Sequence, residues 1–290
     1  MGLDFEKIER DVQALGDGAQ ISVLTRSILG REIPLIRLGK GERAVLYVGV
    51  HSGREHRTGE LLMAFISDYL DCLARRTIQY GVPMERMLAE RSVYVVPMLN
   101  PDGASYVLEG VDEENPLRER VLAMQGEEEI SAWEANARGV DLRRNYNVDF
   151  KARKERERGA GMLGGAPQGF SGEYPESEPE TAALCRFLRL RREQIAGVID
   201  LHEGGEEIRC SCEDNLSAKT LSVARLLARH TGYRLTPPEQ VGVTGDLSDF
   251  CIRVLGRPAY ALYCGRKGEQ SAPRALARVR RALFTFPFLV

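Results

Sequence analysis

The sequence predicts an α/β fold, a single domain with a mixed, mostly parallel central sheet flanked by helices. Short, nearly continuous apolar runs are typical of strands buried on both faces of a sheet, and they cover residues 44–50, 92–98, 195–201 and 258–264. Segments with helical periodicity lie between them, and strands that alternate with helices indicate a parallel sheet. No linker-like segment divides the 290 residues, so we expect one domain over residues 1–290.

The first core strand, residues 44–50, leads into a clear helix. Apolar side chains recur at helical spacing over residues 59–75, which predicts an amphipathic helix packed on the sheet. The strand at residues 92–98 follows this helix. The order strand, helix, strand is that of a parallel crossover unit.

Between the second and third core strands, the sequence predicts a loop and then a helix. The stretch 151–172 is charged and then glycine-rich, so we expect an exposed loop. Ser177 and Glu180 have the spacing of a capping box ahead of the apolar-periodic residues 182–190. A helix should therefore begin near Ser177 and lead into the strand at residues 195–201.

The composition limits the class of binding partner and the cellular compartment that we expect for this protein. Forty basic and forty-two acidic residues give a net charge of −2, so no global field attracts nucleic acid or an anionic membrane. A small peptide or anionic ligand remains. The charged start of the sequence contains neither a secretory signal nor a membrane span, and the six cysteines lie mostly in apolar runs, as reduced thiols do. We expect a cytoplasmic protein.

Two histidines stand where an open parallel sheet binds ligands, beyond the carboxyl ends of strands. His51 ends the first core strand and His202 ends the third. A zinc site needs neutral imidazoles or carboxylates that converge on one point, and two strand ends can supply that convergence. A single histidine at such a position is more often a polar loop residue than a metal ligand, but the placement of two at strand ends makes the interpretations equal, so both stay open at this point.

Five motifs occur in order along the sequence: Gly30–Leu35, Pro97–Gly103, Asn136–Asn145, Tyr174–Thr181 and Leu201–Ile208. Together they resemble the zinc carboxypeptidase family across nearly the whole chain. The last two are most similar to bacterial γ-D-glutamyl-diaminopimelate peptidases, which trim cell-wall stem peptides. The resemblance implies the fold of these enzymes and a zinc-activated water that attacks a peptide carbonyl.

The resemblance also implies a set of metal-binding residues. His51 or its neighbour Ser52, together with Glu55 and His202, would hold zinc. Asp141 would be the carboxylate that orients the first histidine.

The same resemblance implies roles in substrate binding for three arginines. Arg138 would stabilise the oxyanion, and Arg144 would bind the terminal carboxylate of the substrate by donating two parallel hydrogen bonds. Arg143 stands where the family commonly has asparagine, and two adjacent arginines favour a more anionic ligand. Surface salt bridges are the alternative interpretation of these arginines.

The first family motif is His-x-x-Glu, whereas three residues separate His51 from Glu55. If Glu55 keeps its family place, Ser52 holds the ligand position, and a hydroxyl is a poor zinc ligand beside an imidazole. The loop would otherwise have to shift to bring His51 inward.

The second departure concerns the general base, a glutamate on the last core strand of the family. Tyr263 stands in its place here, and a phenol ionises only near pH 10 in model peptides. We therefore predict a metallopeptidase of short peptides whose activity is weak or lost. The alternative is an inactive relative that binds a peptide or anionic ligand through Arg138, Arg143 and Arg144.

Overall fold

The computed structural model describes residues 5–16, 18–210, 216–237, 244–266 and 272–290. The strands in these ranges are β1 (Ala19–Arg26), β2 (Glu32–Gly39), β3 (Arg43–Val48), β4 (Ile78–Gln79), β5 (Val82–Pro83), β6 (Arg91–Val96), β7 (Ile195–Glu203), β8 (Glu207–Arg209), β9 (Arg234–Leu235) and β10 (Ala259–Cys264). The helices are α1 (Phe5–Gln13), α2 (His56–Ala74), α3 (Met84–Glu90), α4 (Pro101–Glu109), α5 (Arg118–Gln125), α6 (Phe150–Gly159), α7 (Pro179–Leu190), α8 (Ala218–Thr231), α9 (Leu247–Asp249) and α10 (Ala272–Leu289). Helix α9 continues as a π-helix over Phe250–Leu255.

Eight of these strands form one sheet in the order β1-β2-β6-β3-β7-β10-β8-β9. Its centre is parallel, because β6, β3, β7 and β10 all run in one direction. Antiparallel pairing is confined to β1 with β2, β2 with β6, and β10 with β8. The predicted fold class is confirmed, and the extent of the domain over residues 1–290 stays a prediction.

The two faces of the sheet carry separate apolar cores, and β3 shows how they divide. Val45 and Tyr47 belong to one core, together with Phe65 of α2. Leu46 belongs to the other core, together with Leu184 of α7. Successive strand residues point to opposite faces, so a strand covered by helices on both sides must be apolar throughout. This explains why the four core strands could be located from continuous apolar runs.

Two local predictions between β6 and β7 are wrong. The stretch 151–172 is not a loop throughout, because α6 occupies its first part and buries Arg153 and Glu157. The capping box does not form either: α7 begins at Pro179, and the Ser177 hydroxyl donates to the Glu178 side chain. The Ser177 side chain therefore contacts neighbouring side chains and does not cap the helix.

The described cysteines are buried and free, as predicted, and they are Cys72, Cys185, Cys210, Cys251 and Cys264. Cys212 lies outside the described residues. Within the described ranges, we find no helix with both the length and the apolar character needed to cross a bilayer.

Candidate active site

The register of three strands places two rows of side chains on one face of the sheet. The first row is His202, Tyr263 and Glu207, and the second is Asp200, Ala261 and Arg209. Both rows share a face because side chains two residues apart on a strand point the same way. Two strand-end positions predicted to carry chemistry, His202 and Tyr263, are therefore direct neighbours.

His51 reaches the same region from the turn that follows β3. Val50 in this turn has a φ of 53°, a conformation that is costly for a β-branched residue and is found where surrounding contacts enforce it. The Val50 amide donates to the Thr58 hydroxyl at 2.8 Å, and the Asn100 side-chain amide donates to the His51 carbonyl at 3.1 Å. These bonds fix the turn and leave the His51 side chain fully buried.

Both ring nitrogens of His51 contact protein groups. Its Nε2 lies 2.7 Å from the Tyr146 hydroxyl, and its Nδ1 lies 2.9 Å from Asp200 Oδ1, at an angle outside hydrogen-bond geometry. Burial raises the pKa of Tyr146 well above its ordinary value. The phenol therefore keeps its proton and can donate it to Nε2, while Nδ1 faces the carboxylate of Asp200.

His202 lies between two carboxylates. Its Nδ1 is 3.1 Å from Glu55 Oε2, and its Nε2 is 3.1 Å from Asp200 Oδ2. Ionised carboxylates only accept hydrogen bonds, so both nitrogens must carry protons. Burial alone would lower the pKa of His202, but Glu55 and Asp200 raise it well above its ordinary value. The two carboxylates therefore favour the protonated form of the ring.

These contacts join Tyr146, His51, Asp200, His202 and Glu55 into one buried set, which we call the histidine–carboxylate network. Burial alone would raise the pKa of Asp200, but the two histidines bring that pKa below its ordinary value. The pKa of Glu55 is lowered against the same effect of burial, first by His202. Each buried carboxylate thus has at least one histidine against it, which lowers the free-energy cost of its burial.

The network does not fit a three-ligand zinc site. Within the described ranges, no group of three His, Cys, Asp or Glu side chains is arranged to hold a metal ion. Zinc binds neutral imidazole, whereas the two carboxylates beside His202 favour its protonated form, and Nε2 of His51 lies against the Tyr146 hydroxyl. Glu55 and His202 come together as a pair, and their metal roles stay predictions.

Ser52, the alternative third ligand, lies beside this pair. It is 1% exposed, and its hydroxyl oxygen has no hydrogen-bond partner in the described part of the protein. A neutral hydroxyl cannot replace the charge and basicity of a third imidazole or carboxylate.

Tyr263, at the general-base position, is held between two cationic groups. Its ring stacks on His202 with a centroid separation of 4.8 Å and an angle of 23°. The guanidinium carbon of Arg209 lies 4.3 Å from the centroid of the Tyr263 ring, and Arg209 Nη1 donates to the hydroxyl at 3.3 Å. Because β10 lies between β7 and β8 in the sheet, the two cations approach from neighbouring strands on opposite sides.

Asp141 and the arginines that follow it form a second cluster. Arg143 pairs with Asp141 at 3.1 Å and also contacts Glu134, and Arg144 pairs with Asp141 at 3.3 Å. Burial alone would raise the pKa of Asp141, but Arg143 and Arg144 lower it. Asp141 therefore positions arginines in this structure, and the carboxylate that contacts His51 is Asp200.

Arg144 and Arg138 remain half-exposed. The Arg144 side chain is 45% exposed, and that of Arg138 is 47% exposed with Glu178 at 3.8 Å. Both guanidiniums can therefore reach a ligand, whereas Arg143 is largely committed to Asp141 and Glu134. The substrate roles assigned to these arginines stay predictions.

A cavity of about 610 Å³ opens beside Ser52 and Glu55. Charged groups on its wall include Arg54, Arg57, Glu134 and Glu203, and its apolar part includes Leu61 and Val107. Burial, and then the charge of Arg57, lowers the pKa of the lining residue His56 to about 4. His56 is therefore neutral near pH 7, and the cavity offers both polar and apolar contacts to a ligand.

Four residues of this region were not predicted: Tyr146, Asp200, Arg209 and His56. Asp200 had a usable signal, since it precedes His202 by two residues on a strand and so shares its face. Tyr146 and His51 are 95 residues apart, and no local pattern connects them. Arg209 follows a predicted motif but lies on a strand of only three residues.

Comparison with known proteins agrees with the geometry of the fold. The zinc carboxypeptidase family matches residues 10–236, a range that ends before Tyr263. The chain is 27% identical over 266 residues to gamma-D-glutamyl-L-diamino acid endopeptidase 1 of Lysinibacillus sphaericus, a match that covers 90% of this chain. It spans 65% of that relative, which is less than two thirds of its length.

Two solved structures have the same fold. Bovine thrombin-activatable fibrinolysis inhibitor, in complex with tick carboxypeptidase inhibitor, superposes with a TM-score of 0.71 at 17% identity, covering 100% of this chain and 96% of that one. Murein-tripeptide amidase MpaA from Escherichia coli O157 gives a TM-score of 0.54 at 20% identity, covering 97% and 94%. The match over residues 10–236 includes most of the sheet, and the chain belongs to the zinc carboxypeptidase family.

Proposed function

We propose that this family member binds short peptides with free carboxylates, such as the stem peptides of the bacterial cell wall, and hydrolyses them weakly or not at all. The observation that carries the proposal is the histidine–carboxylate network. All four ring nitrogens of His51 and His202 face protein groups, so each imidazole would have to give up a protein contact to bind a metal.

Weak hydrolysis follows from two separate losses. Binding zinc would require His202 to lose a proton and His51 to leave Tyr146, and each buried hydrogen bond broken without replacement costs about 1–3 kcal/mol. A positioned general base contributes about 10²- to 10⁴-fold to the rate, and the carboxylate that serves as this base in the family is replaced by the phenol of Tyr263. The two losses affect the same step, so they reinforce each other.

Peptide binding is supported by the cavity beside Ser52 and Glu55 and, separately, by two exposed arginines. Arg144 and Arg138 are half-exposed, and a planar guanidinium suits the forked recognition of a carboxylate. Stem peptides as the ligand class are supported by the names of two relatives, the Lysinibacillus endopeptidase and the murein-tripeptide amidase. A cytoplasmic location belongs to the same proposal, since the described thiols are free.

A working zinc peptidase is the second candidate. Family membership favours it, and so does the approach of Glu55 to His202, which places two possible ligands at one point. This candidate requires a third ligand and a base that the described residues do not place there.

The test compares the wild type with a double variant, Ser52→His with Tyr263→Glu. Zinc content after dialysis, stem-peptide binding by calorimetry and cleavage by mass spectrometry would be measured on both proteins. We expect the wild type to bind peptide, to retain little zinc and to leave the peptide intact. The double variant should gain zinc and cleavage.

Two outcomes would contradict the proposal. About one zinc per wild-type chain together with peptide turnover would establish the second candidate. A wild type that binds neither zinc nor stem peptide would remove both candidates. Tyr263→Phe is the matched control, because it keeps the ring on His202 and adds no base.

A further inference from the structure

Arg209 lies on the same face of the sheet as the candidate active site, and the function proposed above does not use it. It is opposite Ala261 in the register of β8 and β10, one row from Tyr263. Its side chain is 37% exposed. Arg209 therefore combines a fixed place beside the site with access to a ligand.

The charge of Arg209 is only partly balanced by its neighbours. Its Nη2 lies 3.0 Å from Glu207 Oε2, but Glu207 also pairs with Arg234 at 3.3 Å and accepts a hydrogen bond from Thr236. One carboxylate thus serves two guanidiniums. The trio of Arg209, Arg234 and Glu207 carries one net positive charge, and Asp246 also acts on Arg209 electrostatically, with no described hydrogen bond between the two.

Tyr263 holds the Arg209 guanidinium in place without neutralising it. The ring lies 4.3 Å from the guanidinium carbon, and the hydroxyl accepts from Nη1 at 3.3 Å. A cation over an aromatic face is oriented but keeps its charge, whereas a glutamate in this position would form an ion pair with it. Arginine has five N–H donors, and the two described hydrogen bonds of Arg209 leave others for a ligand.

We propose that Arg209 is the specificity-determining residue that selects peptides with a carboxylate on the side chain of their last residue. The proposal rests on the function proposed above, in which the arginines near Asp141 receive the terminal carboxylate. The ligand would then present two carboxylates to two separate guanidinium groups. The side-chain carboxylate of the peptide would make a bidentate contact with the planar, oriented guanidinium of Arg209, and peptides without that carboxylate would lack this contact.

Two stem tripeptides make a matched pair of probes. L-Alanyl-γ-D-glutamyl-meso-diaminopimelate and L-alanyl-γ-D-glutamyl-L-lysine differ only by the carboxylate at the end of the last side chain. By calorimetry we expect the wild type to bind the diaminopimelate peptide about tenfold or more tightly than the lysine peptide. Arg209→Gln should bring the ratio of the two affinities close to one, without weakening the lysine peptide.

Control variants separate selection from general damage. Arg234→Gln removes the other guanidinium on Glu207 and should keep the preference, and Tyr263→Phe should keep most of it because the ring remains. Arg209→Lys, which keeps the charge but not the fork, should give an intermediate ratio. Circular dichroism and thermal unfolding would verify that each variant is folded.

The possible results are distinct. An unchanged preference in a folded Arg209→Gln variant would overturn the role of Arg209 and leave the proposed function intact, as would equal binding of both peptides by the wild type. Binding of neither peptide by the wild type would overturn the proposed function, and this inference with it.

Discussion

Asp200 contacts both histidines of the candidate active site through its two carboxylate oxygens. It is 1% exposed, and an isolated carboxylate at such depth would cost several kcal/mol. His51 and His202 offset that cost, and each histidine has a second partner of its own, Tyr146 or Glu55. The network is therefore stable only when it is complete, because removal of one member leaves another buried and unpaired.

Removing the hydroxyl of Tyr146 tests whether each member of the network is needed for stability. Tyr146→Phe removes the partner of His51 Nε2 at 2.7 Å and keeps the ring in the core. We expect the free energy of unfolding to fall by about 1–3 kcal/mol, measured by urea denaturation.

Tyr69→Phe is the matched control for the Tyr146 test. The Tyr69 hydroxyl is also buried, but it has no hydrogen-bond partner among the described residues. Its loss should change stability little or raise it slightly. Equal losses for the two variants would mean that the network contributes nothing specific at Tyr146.

At the scale of elements, α6 shows why a helix can be missed in sequence. Its ten residues contain little apolar surface, so the charge-rich pattern indicated a loop. The helix docks through polar side chains instead: Arg153 donates to the Thr244 carbonyl at 2.9 Å, and Glu157 accepts from the Ser171 amide at 2.9 Å. Arg153 and Glu157 are four residues apart and so share one helix face.

We expect Glu157→Ala to destabilise the protein by about 1–3 kcal/mol, because it leaves the buried Ser171 amide without its acceptor. It also removes the partner of Lys154 at 2.7 Å. Glu155→Ala on the exposed face of the same helix should change stability by less than about 0.5 kcal/mol. Thermal unfolding of both variants tests whether α6 is docked through Glu157, and equal midpoints would contradict it.

Helix α7 carries a buried carboxyl group near its start. Burial raises the pKa of Glu180 to about 8, and Asp102 and Glu178 act in the same direction. The folded protein therefore holds a proton that the unfolded chain, with a reference pKa of about 4.3, releases. Between about pH 4.5 and pH 8 the unfolded state binds fewer protons, so this group makes stability fall as pH rises.

Glu180→Gln should remove that dependence, because a neutral amide matches the protonated carboxyl. Urea denaturation at pH 5 and pH 8 should give similar stabilities for the variant and the wild type at pH 5, and a more stable variant at pH 8. The slope for one proton is at most about 1.4 kcal/mol per pH unit. Glu119→Gln, on an exposed position of α5, is the control, and a matching change in that variant would contradict the assignment to Glu180.

The features predicted correctly are determined by neighbouring residues in the sequence, whereas those missed are determined by contacts between distant residues. The core strand β7 is a continuous apolar run, so its own residues indicate burial on both faces. The same run ends at His202. The contact of His51 with Tyr146 joins the turn after β3 to a distant loop, and it exists only once the sheet has formed. Sequence could therefore locate the site, whereas the partners that decide its chemistry are tertiary.

For the whole molecule, the fold of the zinc carboxypeptidase family is kept, and the buried carboxylates of the candidate active site are contacted by histidines of the same chain. The parallel strands β3, β7 and β10 still bring their carboxyl ends to one edge of the sheet. At that edge the ring of His202 lies between the carboxylates of Glu55 and Asp200, where a dication and its ligands would otherwise be placed. Because these groups are paired by the protein itself, its stability should not depend on a metal.

Chelation tests that independence directly. A metal bound only by the folded state raises the free energy of unfolding by RT ln(1 + [L]/Kd), so its removal lowers the melting temperature. We expect the melting temperature of the wild type to be the same with and without a chelator, and added zinc to leave it unchanged. The Ser52→His, Tyr263→Glu double variant should instead melt at a higher temperature with zinc, because the introduced imidazole adds a third ligand to Glu55 and His202. A wild type that loses stability on chelation would mean that the network opens to admit a metal, and only the missing general base would then argue against hydrolysis.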